Sequence, residues 1–121
     1  MIRSGIIDAP IARKDNSIIE RCVSPNGQAA RTHYKVLKKF DGYSLVECDL
    51  ETGRTHQIRV HMAYVGHPLL GDSLYNVHND ACLLISRQAL HSYKMEFVHP
   101  VTQVKISLEA EIPEDMKKLI I

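Results

Sequence analysis

Residues 50–75, LETGRTHQIRVHMAYVGHPLLGDSLY, bring Arg54, His56, Arg59, His61 and His67 into one short span. Side chains of these types hold metals, move protons or bind anions. Metal binding is disfavoured by spacing: on a helix His56 and His61 stand about 140° apart and cannot share an ion. There is also no HExxH and no paired cysteine to complete a tetrahedral site. Hydrolysis through a serine lacks its GxSxG turn, and Cys48 sits in a strand alternation, where a thiol is ordinarily core. Gly53, Gly66 and Gly71 are isolated, so no glycine run cradles a phosphate.

Anion binding is what remains. Gly53 permits a tight turn from strand to helix, and the helix then opens with free backbone N–H groups and a partial positive dipole. Arg54, Thr55, His56 and Gln57 add side-chain donors at that end, an arrangement that suits a phosphate or a carboxylate. Arg59 lies about 100° round the helix from Ile58, at the border of the apolar stripe. A partly buried arginine needs an anionic partner. A solvated charged face with Thr55 as a helix cap satisfies the same spacing, so the residues by themselves leave both readings open.

The elements that must position these groups follow from periodicity. Residues 1–28, with Pro10, Pro25 and Gly27, read as irregular apart from an extended GIIDAPI. From Ala30 to Leu37, Thr32, Tyr34 and Val36 alternate with Arg31, His33 and Lys35, the pattern of a half-solvated strand. Asp41-Gly42 then turns the chain into YSLVECDL, giving an antiparallel hairpin. A helix follows, started by Thr55, carrying Ile58, Met62 and Val65 on one face and stopped by Gly66 with His67-Pro68. HPLLGDSLYNVHND is a loop, and residues 81–90 fit either a helix or a buried strand. Residues 91–112 form a second hairpin, with Tyr93, Met95 and Phe97 facing Val104, Ile106, Leu108 and Ala110. Pro113, Glu114 and Asp115 open a final short helix. This order predicts an α+β fold with a mostly antiparallel sheet and few helices.

At 121 residues the chain suffices for one domain with its own core. A net charge of +1 excludes a strong overall field for a polyanion, and any basic surface must be local. Cys22, Cys48 and Cys82 are widely spaced, which predicts reduced thiols and a cytoplasmic location rather than a disulfide framework. No apolar run is long enough for a membrane span, and the N-terminus lacks the pattern of a secretory signal.

The whole run from Leu50 to Tyr75 closely resembles the central motif of the RluA family of RNA pseudouridine synthases. GIIDAPI resembles the segment after that family's catalytic subdomain. ARTHYKVL resembles the strand before the central motif, and RQALHSYKMEFVHPVT its late strand-turn-strand block. The resemblance covers nearly the whole chain. It implies isomerisation of uridine to pseudouridine in structured RNA, ribosomal or transfer, with neither metal nor organic cofactor and with the target base flipped from the stack. It assigns Arg59 to the arginine that pairs with the catalytic aspartate, and Arg54, Thr55, His56 and Gln57 to the turn facing the site and the RNA. Leu90 matches either an apolar pocket residue or a plain core position.

One departure is as informative. The family's nucleophile lies in an HRLD motif, and no RLD occurs in these 121 residues. Its active-site tyrosine, in a K-x-Y strand, has no counterpart either; Tyr34 belongs to a later strand. The resemblance therefore implies a single partial domain over residues 1–121, the C-terminal portion of the fold, catalytically incomplete alone. Surface left bare by the missing portion predicts a homodimer or marginal stability. Arg59 is then expected to take a substitute carboxylate or a stray anion, and Asp49 or Asp72 remains as a stand-in for the absent aspartate. A non-catalytic RNA-binding module is the alternative.

Overall fold

The computed structural model describes residues 3–15, 17, 19–40, 42–75, 85, 87–98, 101 and 105–120. Strand β4 (Arg31–Lys39) is the centre of a three-stranded antiparallel sheet, flanked by β1 (Ser4–Asp8) and β5 (Ser44–Leu50). The register places Ile7 opposite Thr32, and Tyr34 opposite both Gly5 and Cys48, so these side chains share one face. Gly5 is required by that face: a Cβ there would stand 2.9 Å from the Tyr34 hydroxyl. The alternation expected over Thr32, Tyr34 and Val36 is present, with Thr32 and Val36 buried. The strand runs past Leu37 to Lys39 because the register shifts between Val36 and Lys38, and Gly42 makes the expected turn at φ 86°.

The described residues before position 29 are more ordered than their composition predicts. After Pro10 the chain forms β2 (Ile11–Arg13), which pairs antiparallel with β3 (Arg21–Val23). Three-residue strands carry too little alternation to be read from sequence, and tertiary pairing supplies their hydrogen bonds. Gly27 lies against the Ile11 backbone, where a Cβ would come within 2.5 Å of a carbonyl carbon. Ile11 and Gln28 exchange backbone hydrogen bonds of 2.9 and 2.8 Å across that contact.

Helix α1 (Gln57–Tyr64) packs on β3 and β4. Its start differs from the expected Thr55 cap. His56 is the N-cap residue, in the left-handed region at φ 56° and ψ 22°, with no side-chain cap bond. Its C-terminus is as expected: Gly66 at φ 86° donates to Ala63 O, and His67 donates to Met62 O, a Schellman closure. The buried face also differs. Gln57, Val60, His61 and Met62 are buried, whereas Val65 is 38% exposed. Met62 packs with Ile7 and Ala9, and Val60 with Ile11 and Ala30, which stitches the sheet to the β2–β3 hairpin.

Further along, β6 (Lys94–Val98) pairs antiparallel with β7 (Lys105–Glu109), with Met95 opposite Leu108 and Phe97 opposite Ile106 as the alternation predicts. Val104 lies outside the described residues. The ambiguous stretch 81–90 does so for residues 81–84 and 86; residues 85 and 87–90 are in neither helix nor strand. Helix α2 (Glu114–Ile120) begins after Pro113 with Glu114 and Asp115 in its first turn. The Tyr43 hydroxyl donates to Leu119 O at 2.7 Å, tying α2 to the β4–β5 hairpin. Among the described residues, two helices and strands paired antiparallel make this an α+β fold.

Candidate functional site

The turn between β5 and α1 is held by a side chain inside the helix. The Gln57 carbonyl oxygen accepts from Arg54 N–H at 3.0 Å and from Thr52 Oγ1 at 2.7 Å. Its amide nitrogen donates to Arg31 O at 2.9 Å and Thr32 Oγ1 at 3.0 Å. Gln57 is 3% exposed, so both ends of its amide serve the protein interior. The backbone freedom that the sequence places at Gly53 is used at His56 instead: a Cβ on Gly53 would meet nothing, while His56 carries the positive φ.

The same network continues into the core. Thr32 Oγ1 lies 2.8 Å from His61 Nδ1, and His61 Nε2 lies 2.8 Å from Ala9 O. A carbonyl can only accept, so Nε2 is the donor there; in the neutral ring Nδ1 then accepts from the threonine hydroxyl. His61 is fully buried; a hydrogen-bonded chain from Arg31 O to Ala9 O crosses beneath the helix through it.

Between Gln57 and His61 on α1, Arg59 reaches toward the 67–75 loop. Its Nε and Nη2 donate to the two oxygens of Asp72, at 2.8 Å each. The Asp72 side chain is 0% exposed and that of Arg59 12%. Asp72 also accepts from the backbone N–H groups of Leu74 and Tyr75, at 3.0 and 3.2 Å. Burial pushes its carboxyl upward, but the Arg59 bonds and the two amides outweigh that and hold it below the usual carboxylate range. The Asp72 bond likewise raises Arg59. Among the described residues Nη1 of Arg59 takes no partner. Among those residues no buried side-chain nitrogen or oxygen is left unsatisfied, so Nη1 is not a buried orphan.

Tyr75 closes the arrangement. Its ring lies under the Arg59 guanidinium, 5.2 Å from centroid to Cζ, a cation–π distance. Its hydroxyl accepts from Arg21 N–H at 2.9 Å and stands 2.9 Å from His56 Nδ1. Burial, then Arg59 and Arg21, lower the His56 pKa and favour the neutral ring. In the tautomer protonated at Nε2, Nδ1 accepts the tyrosine proton and Nε2–H is left as a donor. Burial raises the Tyr75 hydroxyl, which keeps it protonated for that bond.

Arg54 and Thr55 line an open cleft of about 210 Å³ beside Arg13, Arg21, Gly27 and Gln28. Arg54 is fixed there by Nε donating to Ala29 O at 2.8 Å. The structure thus gathers Arg59 and His56 around Tyr75, places Arg54 and Thr55 on the neighbouring cleft, and turns Gln57 inward. Asp49 is exposed on β5. Asp72 has its carboxylate taken up by Arg59 and two amides, the geometry of a counter-ion rather than of an attacking group. Cys48 is half-buried and its thiol is pushed up to about 11, first by burial and then by Glu47. Among the described residues no cluster of three or more His, Cys, Asp or Glu side chains could hold a metal, and no helix is long and apolar enough to cross a membrane.

Tyr75, Arg13 and Arg21 carry no signal in the sequence reading, and Asp72 enters it only as a stand-in aspartate. Asp72 could have been found another way: Asp-Ser-Leu after a glycine is an Asx-turn pattern, in which the carboxylate binds amides two and three residues ahead.

Comparison with known proteins identifies the family. A family model described as RNA pseudouridylate synthase matches residues 1–64, just over half of the chain. The chain is 53% identical over 116 residues to an uncharacterized RNA pseudouridine synthase of Bacillus subtilis, YjbO, covering 96% of this chain and 40% of that protein. It is 44% identical over 124 residues to ribosomal large subunit pseudouridine synthase D of Nitrosomonas europaea, covering 98% and 36%. The human RNA pseudouridylate synthase domain containing 1 superposes with a TM-score of 0.75 at 26% identity, over 90% of this chain and 48% of that one. The chain spans about two fifths of the length of these curated relatives. With the motif from Leu50 to Tyr75, the matching fold and these identities, the chain belongs to the RNA pseudouridine synthases, in their RluA family.

Proposed function

We propose that this chain forms the arginine-bearing wall of a site that converts uridine to pseudouridine in structured RNA, ribosomal or transfer. The observation that carries the proposal is the state of Arg59: fixed at two nitrogens by Asp72 and on one face by Tyr75, with Nη1 left over. A guanidinium so held is ready to take one more anion without reorganising. In the proposed site that anion is the catalytic aspartate, which this sequence does not contain. Arg59 keeps it ionised and oriented, since a cation within about 4–6 Å lowers a carboxyl pKa by 1–3 units. The glycosidic bond of the flipped uridine breaks, the uracil turns, and it rejoins through carbon 5, releasing the proton held there.

Arg54, Thr55 and His56 face the RNA, while Gln57 holds the turn that presents them. The chemistry requires no metal or organic cofactor. Because Asp72 is committed to Arg59, the chain by itself is catalytically incomplete, and a non-catalytic RNA-binding role is the second reading that the same commitment favours.

Tritium release from RNA labelled at uridine carbon 5 tests both. The chain alone should release none. Adding the HRLD-containing portion of the Bacillus subtilis relative should restore release, and Arg59→Ala should abolish it. Release by the chain alone, above an Arg59→Ala control, would mean that one of its own carboxylates does the chemistry.

A further inference from the structure

Strands β2 and β3 place Arg13 directly opposite Arg21. Both line the cleft that Arg54 and Thr55 border. Arg54 enters with its Nε committed to Ala29 O and its terminal nitrogens without a partner among the described residues. Arg21 is steadied through Nη1, which donates to Ile19 O and Glu20 O at 3.3 and 3.4 Å. Two of the guanidinium groups are therefore restrained, and three border one open concavity in a protein whose net charge is only +1.

We infer that this cleft is a phosphodiester-binding subsite for RNA, with Arg13 and Arg21 as binding residues beside Arg54. The inference rests on the reading of the chain as RNA-binding, and extends it from the helix turn to the β2–β3 hairpin. A flipped nucleotide at Arg59 needs its flanking backbone held, and phosphate contacts fix register without reading sequence. The Arg21 backbone N–H bonds the Tyr75 hydroxyl, so the hairpin that grips the phosphate is joined to the group that supports Arg59.

The test is fluorescence anisotropy of the chain with a labelled RNA stem-loop across a potassium chloride series. Arg13→Gln and Arg21→Gln should each weaken binding about tenfold, and each should reduce the slope of log affinity against log salt by roughly 0.7–0.9. Lys35→Gln, an exposed charge on β4, should change affinity less than twofold. Arg13→Lys should recover most of the loss, which separates charge from folding; circular dichroism of each variant checks the fold. If the chain binds RNA and the two glutamine variants behave like Lys35→Gln, the cleft is not a subsite and the RNA reading survives. If the unaltered chain does not bind RNA at any salt concentration, both readings fall.

Discussion

Asp72 meets Arg59 edge to edge, taking Nε and Nη2 at 2.8 Å each and leaving Nη1 outward. The pair joins the middle of α1 to a loop 13 residues on, and a fork-to-carboxylate match fixes the guanidinium plane as no point charge could. Everything proposed for this site depends on that plane being fixed.

Removing the carboxylate should be costly. Asp72→Ala strands a mostly buried guanidinium and frees the amides of Leu74 and Tyr75, so a loss of about 3–5 kcal/mol is expected. Urea unfolding at pH 7 measures it. A loss below 1 kcal/mol would show that water replaces the pair at no cost.

The same pair sets a pH dependence. Asp72 has its pKa lowered in the folded chain. Its contribution is therefore fully present above the unfolded carboxyl value, about 4, and is lost as pH falls through the lower folded value. In Arg59→Ala, burial has no opposing cation, so the variant should be much less stable at pH 7. Its difference from the unaltered chain should shrink toward pH 3. A pH-independent difference would separate Asp72 from the effect.

Two glycines with positive φ should respond differently to alanine. At Gly42, φ is 86° and a Cβ meets nothing, so Gly42→Ala should cost about 1–2 kcal/mol from the left-handed backbone alone. At Gly71, φ is 73° and a Cβ would fall 2.0 Å from Arg87 O. Gly71→Ala must displace the 85–90 segment, and a loss of over about 4 kcal/mol is expected. Thermal melts of the two variants compare them directly.

Cys48 should be a slow thiol. With a pKa of about 11 against an ordinary 9.0, its thiolate fraction at pH 8 is lower by about a hundredfold. Alkylation followed by peptide mass analysis should show its rate climbing tenfold per pH unit up to pH 10. A plateau near pH 9 would contradict a buried thiol.

The network under α1 offers a fourth stability test. Thr32→Val keeps the shape but leaves His61 Nδ1 and the Gln57 amide each short of a partner, which should cost about 1–3 kcal/mol. A neutral result would mean that the two side chains find each other or water.

By itself the sequence determined the β4–β5 hairpin, the Gly66 helix stop, the register of β6 with β7, the final helix and the family. Each is a local matter: alternation, a turn pair, a left-handed glycine, a proline before acids, or a long contiguous motif. Tertiary structure alone decided the short strands β2 and β3, the His56 start of α1 and the inward turn of Gln57. It also decided the partner of Arg59. Three-residue strands have no period to read, and a buried glutamine or histidine is stable only because acceptors from distant strands arrive beside it. An Asx-turn pattern marks Asp72 locally, but only the folding of the 67–75 loop onto α1 removes its oxygens from water and offers them Arg59 instead.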